Sequence, residues 1–195
     1  MYEIELKAHV RDRENVIRKL NEIAVYLCSR NKEDTYYTLL KMDGGDTAVR
    51  IRTESVLQDG KTSEERTFTY KRKEIKTDCN GNTIEVNDEN EINLSKEDAA
   101  VLKKMFLDIG KIRMTKKKIA ENWELETKAG LANIELCTVP PLGDFLEIEI
   151  ITEDNSPAHV EEINLEIKKI FTLCKIDLAN IEDRFYSEML RSVVK

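Results

Sequence analysis

The chain has 195 residues, of which 35% are charged and 6% aromatic, and its formal net charge is −7. That length suits one ordinary domain with a real core, and an acidic, interleaved charge balance argues against nucleic acid as the main partner, because phosphate-backbone binding needs a net basic face. No apolar run approaches the roughly 18 residues of a membrane helix, and Met1-Tyr2-Glu3-Ile4-Glu5 has neither the basic start nor the apolar stretch of a signal peptide, so no membrane partner and a cytoplasmic location are expected.

The first element is a strand over residues 2–10. Tyr2, Ile4, Leu6, Ala8 and Val10 point one way, and Glu3, Glu5, Lys7 and His9 the other. Residues 12–24 then place Val16, Ile17, Leu20 and Ile23 on one helical stripe. Period-two alternation returns over 36–42, 47–55, 66–73 and 84–92. The breaks between these strands are Asp43-Gly44-Gly45-Asp46, Gln58-Asp59-Gly60-Lys61 and Asn80-Gly81-Asn82, all with turn chemistry. Ser95 is placed to cap a helix through about Ile109, with Glu97 and Asp98 in its first turn. Strands follow over 123–128, 131–139 and 144–152, with Val139-Pro140-Pro141 as the break before the last. Ser156-Pro157 opens a helix over 157–174, and a last short helix covers 179–192. Many strands with a few helices predict an α+β fold, a large antiparallel sheet or barrel decorated with helices, as a single domain over 1–195.

The four cysteines (Cys28, Cys79, Cys137, Cys174) are far apart and form no CxxC pair, so free thiols are expected rather than a zinc site or a disulfide framework. His9 continues the charged face of the first strand and is read as a mouth or surface residue rather than a base. His159 falls in a surface helix. Of Tyr36 and Tyr37, alternation packs one and lines a wall with the other. Trp123 is expected in the core or the barrel wall rather than as a base-stacking platform.

The charged face of the first strand has counterparts. Arg50 and Arg52 alternate with Val49 and Ile51, and Thr67, Thr69, Lys71 and Lys73 with Phe68 and Tyr70. Glu147 and Glu149 alternate with Leu146, Ile148 and Ile150. If the apolar stripes of the helices cover the outside of a closed barrel, these ionised faces line its inside. Buried charge is costly unless paired, hydrated or bound to a ligand. Clusters of Glu beside clusters of Arg and Lys suit a metal–polyphosphate complex: carboxylates hold hard cations through oxygen, and cations and basic side chains neutralise phosphate.

The pattern resembles the CYTH superfamily, the triphosphate tunnel metalloenzymes, which includes class IV adenylyl cyclases and thiamine triphosphatases. Glu3-Ile4-Glu5-Leu6-Lys7 matches the family's opening ExExK. In order after it come Asp34-Thr35-Tyr36-Tyr37, Val49-Arg50-Ile51-Arg52 and Thr69-Tyr70-Lys71. The late acidic strand follows as Leu142-Gly143-Asp144-Phe145-Leu146-Glu147-Ile148-Glu149, and then Arg184-Phe185-Tyr186-Ser187-Glu188-Met189-Leu190.

The resemblance implies a closed eight-stranded antiparallel β-barrel forming a triphosphate tunnel with flanking helices. It implies that Glu5 and Glu147, with Glu3 and Glu149, hold Mg²⁺ or Mn²⁺, and that Glu91 (or Glu89) adds a carboxylate. It implies that Lys7, Arg50, Arg52, Lys71 and Arg184 hold the triphosphate, with Glu5, Lys7 and Glu147 as the catalytic set. Two places depart from the family pattern. Cys137 stands where an Asp is common, with Glu135 two residues earlier on the same strand face as its substitute, or else Cys137 is a packed thiol. In Lys116-Lys117-Lys118-Ile119-Ala120-Glu121-Asn122-Trp123, Lys118 fits the family's phosphate-binding lysine and Trp123 its aromatic, while Ala120 stands where arginine is expected. Lys116 and Lys117 are open between a tunnel role and a solvated face.

Three activities follow from the resemblance. A class IV adenylyl cyclase, a lyase that turns ATP into cyclic AMP and pyrophosphate, is favoured by the Tyr-Glu-Ile-Glu-Leu-Lys start, the Asp-Thr-Tyr-Tyr strand and the Leu-Gly-Asp-Phe-Leu-Glu turn. A hydrolase of inorganic or thiamine triphosphate is the alternative. A non-catalytic polyphosphate binder is disfavoured, because a pure anion binder gains nothing from carboxylates that bring no metal. A barrel of this kind can also pair through an outer face as a homodimer.

Overall fold

The computed structural model describes residues 2–40, 46–77, 83–154 and 156–193, with side chains at all of these except 46–48, 71–77 and 83–89. The turns expected at 43–46 and 80–82, Cys79, and the side chains of Lys71 and Glu89 therefore fall wholly or partly outside the described residues.

The elements in chain order are β1 (Tyr2–Val10), α1 (Arg13–Ile23), β2 (Val25–Leu40), β3 (Asp46–Gln58), β4 (Lys61–Thr77) and β5 (Thr83–Asn93). Then come α2 (Lys96–Ile109), β6 (Gly110–Thr127), β7 (Gly130–Val139), β8 (Gly143–Thr152), α3 (Pro157–Leu173), a 3-10 turn over Leu178–Asn180, β9 (Ile181–Glu182) and α4 (Tyr186–Val193). β1, β7 and β8 fall within a residue of the expected strands. β2 and β6 begin 11 and 13 residues earlier than the alternation suggests, since they start at Val25 and Gly110. The expected last helix over 179–192 splits into the 3-10 turn, β9 and α4.

The strands hydrogen-bond in the order β5-β4-β3-β2-β6-β7-β8-β1-β9. This corrects the expected closed eight-stranded barrel: the sheet has nine strands, and among the described residues no pairing joins its two ends. The edge of β1 that a closing strand would need is already taken at Lys7 and Ala8, which pair with Glu182 and Ile181. At the other end β5 spends its paired edge on β4, from Thr67↔Asn93 to Thr77↔Thr83. β3 and β4 are joined at Asp59-Gly60, both at positive φ (50° and 71°), the conformation of a two-residue hairpin turn that suits the sheet's twist.

Chain contacts divide the molecule into two compact units. One comprises Met1–Asn31, Leu57–Lys61 and Lys118–Lys195, the other Lys32–Val56 and Thr62–Lys117.

In the first unit, register sorts the faces. Leu6↔Ile148↔Ile134 and Ile4↔Ile150↔Ala132 run across β1, β8 and β7 on one face, and Trp123 joins them from β6 opposite Ile134. The helices cover this face. Asp12 accepts the backbone N–H of Asn15 at the start of α1 (3.0 Å), and α1 turns Val16 and Leu20 inward. Pro157 at the first turn of α3 fits the helix start, and Ile163, Ile167, Ile170 and Phe171 lie at helical spacing on its buried side. Trp123 is fully buried, and its Nε1–H donates to Asn21 Oδ1 at 2.9 Å.

In the second unit, Tyr37, Val49, Ile51, Phe68 and Phe106 form the core, with Phe106 delivered by α2. Ser95 caps α2 as the sequence predicts, and Asp98 completes a reciprocal capping box with it. Tyr37 packs here, while Tyr36 is the sibling on the opposite face, its hydroxyl 3.4 Å from Asp34 Oδ2.

The apolar layer of the first unit should carry its stability. Ile148→Ala removes a fully buried side chain between β1 and β7 and should cost about 2–5 kcal/mol, read as a lower midpoint in urea unfolding.

Candidate active site

The second face of the first unit is polar. Register aligns Glu5 with Glu149 and Lys7 with Glu147 across β1 and β8, and Glu147 with Glu135 and Glu149 with Asn133 across β8 and β7. β6 brings Asn122 opposite Glu135 and Ala120 opposite Cys137. The side-chain period of two places all of these on one face, opposite the core.

Lys118, from the same face of β6, sits at the centre. Its ammonium pairs with both Glu135 and Glu147, and its side chain is only 8% exposed. Burial pulls the Lys118 pKa down, but the two carboxylates outweigh burial and the net shift is upward, so the lysine stays charged. The Asn122 amide donates to Glu135 at 3.2 Å and that of Asn133 to Glu149 at 3.1 Å. Glu5 is exposed on this face. Partial loss of hydration, then the charge of Glu147, raises its pKa, with Glu149 adding to the rise and Lys118 and Lys7 opposing it. Like charges crowded to this degree favour a bound cation.

One end of the polar face is apolar. Ala120, Cys137, Val139 and Phe145 pack with Met189 from α4, and Tyr186 meets Phe145 edge-on at 5.0 Å. Lys7 and Lys118 both lie over the Tyr186 ring, at 5.6 and 5.4 Å. Cys137 Sγ lies 4.0 Å from Glu147 Oε1 and 3.6 Å from the Tyr186 hydroxyl. Burial pushes the thiol pKa up to about 12, so it is neutral. Of the two readings of this strand, Glu135 is the residue that brings a carboxylate beside Glu147, and Cys137 is packed between them and Tyr186. Donor atoms of Glu135, Cys137 and Glu147 lie within 4.8 Å of one another.

The second unit has a basic cluster built around one acid. Asp34, fully buried, accepts from Arg52 Nε at 2.7 Å and Nη2 at 3.1 Å, and pairs with Lys116 at 3.1 Å. Burial raises the Asp34 pKa, but Arg52 and Lys116 overcome it and hold the group well below the usual carboxylate range. Burial likewise lowers the Arg52 pKa and Asp34 outweighs it, so the guanidinium is held more firmly charged. Arg50 donates to Thr69 Oγ1 at 2.8 Å and to Glu91 at 3.1 Å, and Thr69 donates to Glu91 at 2.8 Å.

The expected site residues thus fall into distinct groups. Glu5, Lys7, Lys118, Glu147 and Glu149 come together in the first unit, and Arg50, Arg52 and Glu91 lie in the second, where Glu91 meets Arg50. Glu3 lies on β1 opposite Ile151, exposed. Lys71 lies on β4 opposite Glu89. Arg184 is held by Glu182 through two hydrogen bonds of 2.8 and 2.6 Å, and Glu182 also meets His9 at 3.3 Å. His9 is 42% exposed and borders a cleft of about 430 Å³, the mouth or surface position expected of it.

The lysine run sorts by face. Lys116 and Lys118 are buried on acids, while Lys117 is 68% exposed beside Glu33. The solvated-face reading therefore holds for Lys117 and fails for Lys116. Sequence reasoning gave no role to Asp34 or Tyr186. Asp34 shares its face of β2 with Arg30 and Lys32, a charged stretch that alternation alone could have flagged. Tyr186 reaches the site through tertiary packing alone.

A family model describing the CYTH domain matches residues 1–186. The chain belongs to the CYTH family. Members of this family act on triphosphates and depend on metal. Among solved structures, the PH1819 protein of Pyrococcus horikoshii OT3 is 23% identical, with 98% of this chain and 99% of that one covered and a TM-score of 0.71. A "putative adenylate cyclase" from Vibrio parahaemolyticus is 17% identical, with 98% of both chains covered and a TM-score of 0.64. HpAC1 from Hippeastrum, a "putative adenylyl cyclase" described with a dominant triphosphatase activity, is 11% identical over 98% of this chain and 95% of that one, with a TM-score of 0.59. These likenesses show the CYTH fold. No curated protein matches the chain.

In this CYTH chain the donor set fits a hard divalent cation. Glu5, Glu135, Glu147 and Glu149 offer carboxylate oxygens on one face, and a cation there would relieve the repulsion among them.

The Asp34 cluster yields a prediction. Asp34→Asn leaves Arg52 and Lys116 without their buried counter-charge and should cost about 3–5 kcal/mol. The folded-state pKa of Asp34 lies below its ordinary value of 3.8, so its contribution is present above that pH and is lost as pH falls below it. Urea unfolding across acid pH should show this loss in the wild type and not in Asp34→Asn.

Proposed function

We propose that this CYTH chain is a metal-dependent enzyme acting on a nucleoside triphosphate, and specifically a class IV adenylyl cyclase that converts ATP to cyclic AMP and pyrophosphate. The observation that carries the metal-dependent reading is the single face that presents Glu5, Glu135, Glu147 and Glu149, with Lys118 paired to Glu135 and Glu147. The choice of cyclase rests on the resemblance of the Glu3–Lys7 and Leu142–Glu149 motifs.

Glu5, Glu147 and Glu149, with Glu135 in place of the family's Asp, would hold Mg²⁺ or Mn²⁺. Glu3 and Glu91 complete the carboxylates the resemblance assigns. The metal would neutralise phosphate charge and stabilise the departing pyrophosphate. Lys7 and Lys118 offer ammonium groups on the carboxylate face, and Arg50, Arg52, Lys71 and Arg184 are assigned to phosphate oxygens. A guanidinium suits this work because it stays charged and presents a planar fork. In the reaction O3′ of ribose attacks the α-phosphorus and loses its proton to water. The bond to the β-phosphate oxygen breaks, and its electron pair leaves with pyrophosphate. Cys137 takes no part as a nucleophile, because burial keeps its thiol protonated. The whole of 1–195 is proposed to act as one CYTH domain in the cytoplasm.

The decisive assay incubates the protein with ATP, inorganic triphosphate and thiamine triphosphate in Mg²⁺ or Mn²⁺ and identifies the products. Cyclic AMP and pyrophosphate from ATP are expected. Orthophosphate from any of the three, without cyclic AMP, replaces the cyclase with a triphosphatase. Excess chelator should abolish turnover, and turnover that persists would remove the metal from the reaction.

Two variants separate the roles. Glu147→Gln should lower kcat and weaken Mn²⁺ binding. Arg50→Ala should weaken binding of a non-reactive triphosphate analogue roughly tenfold or more, from loss of a charge-assisted contact of about 1.5–3 kcal/mol. Calorimetric titration of each variant reads both.

A further inference from the structure

Lys118 holds a position that the proposed function does not explain. Its ammonium does not point to open solvent, where an incoming phosphate would find it. It is buried against Glu135 and Glu147, two of the carboxylates that offer the best oxygens for a metal. Donor atoms of those two residues and Cys137 lie within 4.8 Å of one another. A divalent ion bound to these oxygens would sit within a few ångströms of the ammonium. Like charges that close repel strongly in a site largely removed from water, so the ion and the ammonium do not share this position.

We propose that Lys118 is a tethered counter-cation that occupies the metal position in the free protein, and that a triphosphate opens the position by drawing the lysine away. The side chain has the means to move. Its stem carries four rotatable bonds, and the Tyr186 ring 5.4 Å away offers a cationic resting place that Lys7 already shares. A triphosphate, with several negative charges, competes with Glu135 and Glu147 for the ammonium. When Lys118 turns to phosphate, Glu135 and Glu147 are left unneutralised, and a divalent ion binds them. Metal and triphosphate therefore each strengthen the binding of the other, as linkage requires. In the absence of triphosphate the carboxylates stay neutralised and bind metal weakly. This inference rests on the metal reading of the carboxylate face, but not on the choice of cyclase.

The test measures Mn²⁺ binding directly, by the electron paramagnetic resonance signal of free Mn²⁺, with and without a non-hydrolysable triphosphate analogue. The proteins are wild type, Lys118→Met and Lys118→Arg. Lys118→Met keeps much of the stem and removes the charge. It should bind Mn²⁺ about tenfold or more tightly than wild type when no triphosphate is present. The analogue should strengthen Mn²⁺ binding in wild type, and far less in Lys118→Met. Metal-free Lys118→Met should melt below wild type, because two carboxylates lose their partner, and Mn²⁺ should raise its melting temperature by more than it raises that of wild type. Lys118→Arg keeps the charge and should bind Mn²⁺ as weakly as wild type.

A lysine that merely stabilises the fold would lower the melting temperature of Lys118→Met without tightening Mn²⁺ binding, and that result overturns the proposal. Lys118→Met with wild-type Mn²⁺ affinity and an undiminished response to the analogue also overturns it. The outcomes separate this idea from the function itself. Metal-dependent turnover by the wild type, with unchanged Mn²⁺ affinity in Lys118→Met, sinks only the tethered-cation idea. No Mn²⁺ binding in any variant and no turnover sinks both.

Discussion

Glu135 and Glu147 face one another across β7 and β8, largely removed from water, and one ammonium neutralises both. Ionised carboxylates in such a place are unstable without a partner, so the Lys118 triad is the condition on which this face can exist. Its position depends on the opposite face. The same strands that present Glu5, Glu147 and Glu149 to one side present Leu6, Ile148 and Ile150 to the other. A slip of one residue in register would exchange the two sets, placing carboxylates under α1 and α3 and isoleucines around Lys118. Packing of the α1 and α3 stripes against β1, β7 and β8 thus fixes the register, and the register assembles the carboxylates.

The second unit solves the mirror problem. There one buried carboxylate, Asp34, serves two cations, Arg52 and Lys116. Two acids share a base in one unit, and two bases share an acid in the other. In each case burial is offset by shared pairing of opposite charges. Arg50 belongs to the same logic, held by buried Thr69 and by Glu91, whose side chain is exposed.

The legible parts of this architecture were those governed by period two and by caps. β1, β7, β8, the cap at Ser95 and the Ser156-Pro157 helix start all follow from local chemistry. β2 and β6 were shortened because Val25-Tyr26-Leu27-Cys28 and Lys116-Lys117-Lys118 do not alternate in hydrophobicity. Those lysines are told apart only by partners far along the chain: Asp34 for Lys116, Glu135 and Glu147 for Lys118. Barrel closure was not legible for a related reason. Alternation assigns each side chain to a face but does not say which strand pairs with which edge, and the edge of β1 at Lys7 and Ala8 goes to Ile181 and Glu182. That two-residue strand follows a 3-10 turn capped by Asp177, a break too short to register against the helical pattern expected over 179–192.

Cys137 shows how the charge of the site is kept in balance. The family resemblance places an Asp at this position, and an Asp between Glu135 and Glu147 would put three carboxylates on one ammonium. The thiol avoids this because burial leaves it neutral, with a pKa pushed up to about 12. Glu135, two residues earlier and so about 6.6 Å along the strand, lies on the same face, and the Asn122 amide donates to it. Lys118 pairs with Glu135 and Glu147 there. The consequence is geometric: the carboxylate pair lies across from Asn122 rather than Ala120, and the freed position lets Cys137 pack against Phe145, Val139 and Met189 in the apolar end of the face. That end excludes water beside Tyr186, which makes the charged contacts of Lys118 stronger than they would be in solvent.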